Sequence, residues 1–224
     1  MAARWVGVSC ATGRIKPCLG TAAKRSEGRE AILRGAVMKV VLASASPRRR
    51  ELLGLLLRDF SCCSTGIDES LQEDEAQRDY VCRMAREKAA AARTDDALVI
   101  AADTTVTLDG VVLGKPSDAM DAARMLASLS GRTHRVLTSV CVAVASEFDT
   151  VLCETRVTFA QLSTNDIEMY LQTDEPWDKA GGYGIQGRAG SFVTSVEGSY
   201  SAVVGLPLAE TRGLLAKHGI LPQW

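Results

Sequence analysis

Residues suited to binding anions follow the first apolar segment of the chain. Ser44-Ala45-Ser46 comes directly after four apolar residues, and Pro47 and three arginines, Arg48 to Arg50, follow it. A helix N-terminus presents unpaired N–H groups and partial positive charge. Arginine adds full charge in a geometry that matches phosphate. The stretch predicts a phosphate site, with a strand–helix corner carrying a solvated basic face as the alternative.

Carboxylates and lysines lie at comparable positions further along the chain. Asp68-Glu69 lies in a turn, Asp103 follows the apolar run 98–102, and Lys115 follows a hairpin. Ligands bind outside strand ends in α/β sheets, so these positions can converge. Together they would supply oxygen ligands for Mg²⁺ and cations for phosphates, the composition of a phosphoryl-transfer site.

Each of these residues also has a plainer interpretation. Asp103 can simply cap a turn, although an acid directly after five apolar residues is costly without a partner. Asp68 and Glu69 are also common turn residues. Lys88, on a charged helix, more often belongs to a solvated face. Lys115 can be an ordinary loop lysine.

Other reactive residue types indicate no competing chemistry. His134 and His218 are isolated, and they are interpreted as a strand-edge residue and a C-terminal helix residue. The seven cysteines lack zinc-site spacing and are interpreted as reduced, apolar thiols. The absence of a GxxxxGK[ST] motif argues against an NTPase motor or a GTPase.

The elements that must position these residues alternate between strands and helices. Apolar runs predict strands at 40–43, 60–64, 98–102, 136–145 and 151–162, with the strand at 98–102 ending at Asp103. Periodicity and capping residues predict helices at 48–57, 80–93, 118–130, 164–171 and 207–217. Hairpins are predicted at 106–113, around Asp109-Gly110, and at 191–204. A long Gly-rich loop covers 174–190. We expect one α/β domain with a mixed, twisted β-sheet flanked by helices.

Charge separates the N-terminus from the rest of the chain. The 224 residues carry a formal charge of −1, which does not indicate a nucleic-acid partner, and no apolar run is long enough to span a membrane. Residues 1–37 carry seven Lys/Arg and two Glu, a net +5. We expect a basic, disordered extension or residues upstream of a start at Met38, with an organelle transit peptide as the alternative. Residues 38–224 are expected to form the folded domain.

A series of motifs runs through the chain: LASASPRRRELL at 42–53, REKA at 86–89, ADT at 102–104, GKP at 114–116 and DKAGGYGIQG at 178–187, with VGLPL at 204–208. Taken together, these motifs resemble the Maf family of house-cleaning nucleotide pyrophosphatases. They occur in the family's order, and the resemblance covers roughly Met38 to the C-terminus.

The resemblance implies an inosine-triphosphatase-like fold, often dimeric. It implies hydrolysis of a nucleoside triphosphate to the monophosphate and pyrophosphate with Mg²⁺ or Mn²⁺. Asp103 would be the catalytic carboxylate, and Glu69 and Asp103 would hold the metal. The residues that would bind the phosphates are Ser44, Arg49, Lys88 and Lys115.

Members of the family with different substrate specificities differ at the positions of Arg48, Thr104 and Gln186. In this sequence these residues resemble the thymidine/uridine type rather than the 7-methylguanosine type. An amide both donates and accepts, so Gln186 can match the O4/N3–H edge of uracil or thymine. A glutamate would suit a cationic methylated guanine better. The resemblance implies dTTP and UTP, and modified pyrimidine nucleotides, as substrates of a cytoplasmic homodimer.

Two other functions stay open from the sequence. One is a nucleotide-binding regulator of cell division and septum formation with little turnover. The other, weaker one is nucleic-acid binding through residues 1–37, against which the acidic remainder of the chain argues.

Overall fold

The computed structural model describes residues 38–223, so the expectations for residues 1–37 lie outside the described part. The sheet has seven strands in the spatial order β2-β1-β3-β5-β6-β7, and β4 also pairs with β3. The strands are β1 (Lys39–Ala43), β2 (Ser61–Cys63), β3 (Ala97–Leu108), β4 (Val111–Leu113), β5 (Thr133–Val144), β6 (Glu147–Phe159) and β7 (Val193–Glu197). The α-helices are α1 (Pro47–Gly54), α2 (Gln77–Ala91), α3 (Ala119–Leu129), α4 (Thr164–Leu171), α5 (Tyr200–Val204) and α6 (Leu208–Lys217).

The sheet is mixed, which confirms the predicted fold class. β1 pairs in parallel with both β2 and β3. The pairs β3–β5, β5–β6 and β6–β7 are antiparallel. Parallel neighbours need a crossover connection, and α1 and α2 occupy the two crossovers. No helix within residues 38–223 is long and apolar enough to cross a bilayer.

One edge of β3 changes its partner halfway along the strand. β1 pairs with β3 as far as Ile100, and β4 pairs with it from Val106 to Leu108. β5 pairs along the opposite edge throughout, from Leu98 to Thr107. Among the described strands, residues 101–105, here called the open edge, therefore have a neighbour on one side only.

The two faces of the sheet have different cores. Larger aliphatic side chains pack under α1 and α6, including Leu53, Ile100 and Leu214. Small side chains pack under α2, where Ala85 and Ala89 face Ala101. Because these side chains are small, α2 approaches the sheet closely, and a long side chain on the same helix face can reach β3.

Local signals place several element ends where they were predicted. Ser46 is the N-cap of α1, and Pro47 is its first residue. At the start of α4, Ser163 forms a capping box with Asp166. Asp109 and Gly110 both adopt positive φ, 51° and 82°, as a two-residue hairpin requires.

Other expectations are wrong. β3 does not end at Asp103 but continues to Leu108, because β5 pairs with it along its whole length. Residues 191–204 are not a hairpin: Gly198 adopts φ +124°, and Ser199 then caps α5 by accepting a hydrogen bond from the Ala202 N–H. α1 ends at Gly54 rather than at residue 57.

The Gly-rich loop at 174–190 has some regular structure of its own. Short 3₁₀ segments lie at Ala180–Gly182 and Arg188–Phe192. The described cysteines carry free thiols: Cys62, Cys63, Cys82, Cys141 and Cys153.

Candidate functional site

A cleft of about 800 Å³ lies along the open edge of β3. Its walls come from the end of β1, the start of α1, the end of β4 and the loop after α4. The residues that the family resemblance assigns to the site all line it: Ser44, Arg48, Arg49, Glu69, Lys88, Asp103, Thr104, Lys115 and Gln186. The fold therefore brings together residues that are scattered along the chain.

The open edge explains why two successive residues of β3 share the cleft. Side chains of Asp103 and Thr104 point to opposite faces of the strand. Asp103 bonds to Lys88 of α2, whereas Thr104 bonds to Arg49 of α1. Both reach the same space because none of the described strands pairs with this edge of β3 between Ile100 and Val106.

Lys88 is the buried cation of the cleft. Its residue is 8% exposed, and its Nζ lies 2.7 Å from Asp103 Oδ1 and 2.9 Å from Glu69 Oε1. Asp103 is 6% exposed, whereas the Glu69 side chain is 51% exposed. Burial of one charge without its partner would be strongly unfavourable. The pair therefore explains how an acid can lie inside an apolar strand.

The interpretation of Lys88 as a solvated residue is wrong, and the sequence contains a signal against it. The buried face of α2 is formed by Val81, Met84, Ala85 and Ala89. Lys88 lies at the i+7 position counted from Val81, within this stripe. A lysine at an apolar stripe position indicates a buried partner for its charge.

The two carboxylates of the turn at 68–69 differ in placement. Asp68 accepts a hydrogen bond from the Ser70 N–H at 2.9 Å, and this bond lowers the pKa of Asp68. Glu69 alone lines the cleft. The Tyr80 hydroxyl donates to the Glu69 carbonyl at 2.9 Å and so fixes the turn beside α2. Tyr80 lines the cleft without being among the sequence-predicted residues.

The carboxylates of the cleft fit a divalent cation that is shared with a substrate. Within residues 38–223 no group of three or more His, Cys, Asp or Glu side chains is arranged to hold a metal. Glu69 and Asp103 converge on one ammonium group and therefore lie close together. Mg²⁺ is commonly held by one or two carboxylates, with phosphate oxygens and waters completing its shell. The donor set suits that kind of site.

Arg49 is held in place by neighbouring protein groups. Its Nε donates to the Gly205 carbonyl at 2.8 Å, and its terminal nitrogens donate to Thr104 Oγ1 at 3.2 Å and Ser44 Oγ at 3.5 Å. Burial lowers the pKa of Arg49, and Asp103 opposes that shift. Guanidinium still remains protonated. The result is a fixed, poorly solvated cation beside the Ser44 turn.

An ion pair joins two walls of the cleft, α1 on one side and the loop after α4 on the other. Arg48 on α1 lies 3.1 Å from Asp178 in the loop after α4. The same loop is joined to the end of β4, where the Gly181 N–H donates to the Gly114 carbonyl at 2.9 Å. Gln186 is exposed on this loop and lines the cleft.

Tyr183 and His134 form a buried pair next to the cleft. Tyr183 lines the cleft, and its hydroxyl lies 2.8 Å from His134 Nε2. Burial lowers the pKa of His134 to about 4, so the imidazole is neutral near pH 7. His134 is 1% exposed and lies in β5, which pairs with a strand on each side, so the strand-edge interpretation is wrong. Its Nδ1 has no hydrogen-bond partner among residues 38–223.

A cleft that combines one buried and one partly buried cation with paired carboxylates at a sheet edge is typical of proteins that bind phosphate groups. The Maf-like protein family matches residues 39–218, and the chain belongs to this family. Family membership confirms the resemblance found in the sequence motifs.

Individual relatives cover most of the chain. It is 53% identical over 187 residues to the dTTP/UTP pyrophosphatase of Hahella chejuensis (strain KCTC 2396), and the matched region covers 81% of this chain and 93% of that protein. Identity to the dTTP/UTP pyrophosphatase of Anaeromyxobacter dehalogenans (strain 2CP-1 / ATCC BAA-258) is 53% over 191 residues, with 83% and 97% coverage. The Staphylococcus aureus Ham1 protein structure is similar at a TM-score of 0.40 and 13% identity, over 55% of this chain and 72% of that chain.

Proposed function

We propose that this protein hydrolyses dTTP and UTP to the nucleoside monophosphate and pyrophosphate. The observation that carries the proposal is the Lys88–Asp103–Glu69 cluster, which faces Arg49 and Lys115 across one cleft. Relatives named dTTP/UTP pyrophosphatase, about half identical over most of the chain, support the same reaction. They favour an enzyme over a nucleotide-binding regulator of cell division.

The triphosphate would lie between the start of α1 and the end of β4. Ser44, Arg49 and Lys115 bind phosphate oxygens, with the N-terminus of α1 adding partial positive charge. Lys88 donates a hydrogen bond to Asp103 and forms an ion pair with Glu69. An ammonium group has three donors, so Lys88 can also bind a phosphate oxygen.

Asp103 acts as the base in the proposed reaction. It orients a water for in-line attack on the α-phosphorus and accepts its proton as the new P–O bond forms. Lys88 holds the Asp103 carboxylate in place through the contact at 2.7 Å. Pyrophosphate leaves with its charge balanced by Arg49 and Lys115.

Glu69 and Asp103 would hold Mg²⁺ or Mn²⁺. When bound, such an ion neutralises phosphate charge. The base would be recognised by the Gln186 amide, with Arg48 and Thr104 at the other specificity positions.

The proposal includes the setting in which the enzyme acts. We propose a cytoplasmic homodimer with no nucleic-acid or membrane partner, built from a domain of residues 38–224 behind a basic extension of residues 1–37. Light scattering on the full chain and on a chain starting at Met38 tests the dimer and shows whether the extension contributes to it.

Asp103→Asn tests the reaction. Pyrophosphate release is measured with dTTP, UTP, CTP, GTP, ATP and 7-methyl-GTP, each with Mg²⁺ or Mn²⁺, and dTTP binding is measured by calorimetry. Loss of the base should lower turnover about 10²–10⁴-fold while binding survives. Asp95→Asn, at an exposed position outside the cleft, is the matched control.

Unchanged turnover in Asp103→Asn would remove this carboxylate from the mechanism. A wild-type protein that binds a triphosphate tightly but cleaves none would instead support the regulator.

A further inference from the structure

We propose that Glu175 is a positioning residue that sets base selectivity by anchoring the loop that carries Gln186. The inference rests on the proposed function and deepens it. The loop in question, residues 184–190, is called the recognition loop below. Glu175 lies eleven residues before Gln186, directly after α4 and its following turn.

The Glu175 carboxylate is bound by the recognition loop itself. Its Oε2 accepts a hydrogen bond from the Arg188 N–H at 2.8 Å, and its Oε1 accepts one from the Ala189 N–H at 3.2 Å. The Tyr170 hydroxyl of α4 donates to Oε1 at 3.0 Å. Bonds to an ionised acceptor are stronger than neutral ones. One side chain thus joins two consecutive loop amides to a helix.

The glycines of the recognition loop show how closely it wraps around this carboxylate. A Cβ on Gly187 would overlap the Glu175 carboxyl group, and a Cβ on Gly184 would lie 3.2 Å from Oε1. Gly187 has φ −104°, which lies outside the left-handed region that favours glycine. The close approach of Glu175 is what excludes a side chain at this position. Gln186 lies between these two glycines.

The position of the Gln186 amide therefore depends on the anchor. Gln186 is exposed on the cleft side, and no hydrogen bond to another described residue holds its side chain. Its placement comes from the backbone on either side, which Glu175 fixes through Gly187, Arg188 and Ala189. Both Glu175 oxygens are engaged by loop and helix donors, so Glu175 acts through the loop and not on the phosphates.

Glu175→Gln changes the anchor without changing its size. A glutamine presents one acceptor and one donor where the carboxylate presents two acceptors. Either amide orientation places an NH₂ group against a backbone N–H of Arg188 or Ala189. The recognition loop should then lose at least one of its bonds. Glu168→Gln, an exposed position on α4 outside the cleft, makes the same chemical change as a control.

The test compares steady-state kinetics on dTTP, UTP and GTP with amide hydrogen exchange of the free protein. We expect the KM for dTTP to rise about tenfold and kcat to change less than threefold, because the chemistry at Asp103 is untouched. The preference for dTTP over GTP should fall about tenfold. Exchange at the Arg188 and Ala189 amides should accelerate about tenfold or more. Glu168→Gln should match wild type throughout.

Gly187→Ala perturbs the same anchor from the loop side and should give the same split between KM and kcat. It keeps the proposal testable if Glu175→Gln does not fold. Wild-type KM and selectivity in either folded variant would overturn the selectivity role while leaving the proposed function intact. Unchanged exchange at the two amides in Glu175→Gln would overturn the anchor.

A wild-type protein that cleaves no triphosphate would refute the proposed function and the selectivity role together. Pyrophosphate release by the wild-type protein therefore distinguishes failure of the proposed function from failure of the Glu175 role.

Discussion

Lys88→Met removes one charge from the most buried ion pair of the cleft. Methionine is close to lysine in length and fills the same space among apolar neighbours of α2. Asp103, 6% exposed, would be left without the ammonium that now lies at 2.7 Å. Glu69, whose side chain is 51% exposed, can turn to water.

The cost follows from the burial of Asp103. Removal of one partner from a buried ion pair destabilises a protein by about 3–5 kcal/mol. A domain of this size loses roughly 2–4 °C in melting temperature per kcal/mol, so the melting temperature should fall by about 6–20 °C. The Lys88→Met/Asp103→Asn double variant should recover about 2 kcal/mol, because a buried neutral amide costs less than a buried unpaired charge.

Urea unfolding followed by circular dichroism measures these differences. Lys115→Met is the control: Lys115 lines the same cleft but is exposed, so its replacement should change stability by about 0.5 kcal/mol or less. The reasoning fails if Lys88→Met costs less than about 1 kcal/mol, or if the double variant is no more stable than the single one.

Three further predictions concern the cleft and the core beside it. Arg49→Lys cannot reproduce the bonds to both Gly205 and Thr104, so the KM for dTTP should rise about 10–100-fold; an unchanged KM would exclude a phosphate role. Gln186→Glu removes the amide donor, and kcat/KM for dTTP and UTP should fall at least about tenfold on a nucleotide panel, whereas equal activity would show that the amide does not recognise the base. The pKa of His134 is about 4 in the folded protein and 6.5 in the unfolded chain, so unfolding between these pH values takes up a proton. The stability of the wild-type protein should therefore fall by about 3 kcal/mol as the pH decreases from 6.5 to 4. His134→Phe should flatten that profile in urea titrations at several pH values, and an equally steep profile would assign the effect to other groups.

Many helix starts and turns could be predicted from the sequence because they depend on local interactions. Caps such as Ser163, the Pro47 helix start and the Asp109-Gly110 turn depend on neighbouring residues alone, and the structure has all three where they were expected. The cleft residues were found because cations and carboxylates lie next to turns or apolar runs, and because the motifs resemble a known family.

Features that depend on tertiary pairing were not predictable in the same way. β3 continues past Asp103 because β5 pairs with it and Lys88 neutralises the acid, and neither partner is near Asp103 in sequence. The segment at 200–204 carries apolar residues suited to a strand, yet the Ser199 cap and the contacts of Ala202 and Val204 with the core make it a helix. Tertiary packing decides between such alternatives.

The open edge of β3 also determines how the two walls of the cleft are connected. β1 and β4 pair with β3 at opposite ends of residues 101–105, and these two strands are not paired with each other in the described sheet. The Arg48–Asp178 contact at 3.1 Å spans the walls, and exposed ion pairs of this kind contribute about 0–1 kcal/mol. Moving the walls apart to release a product would therefore break no strand pairing of the described sheet, because β1 and β4 each pair with β3 and not with each other.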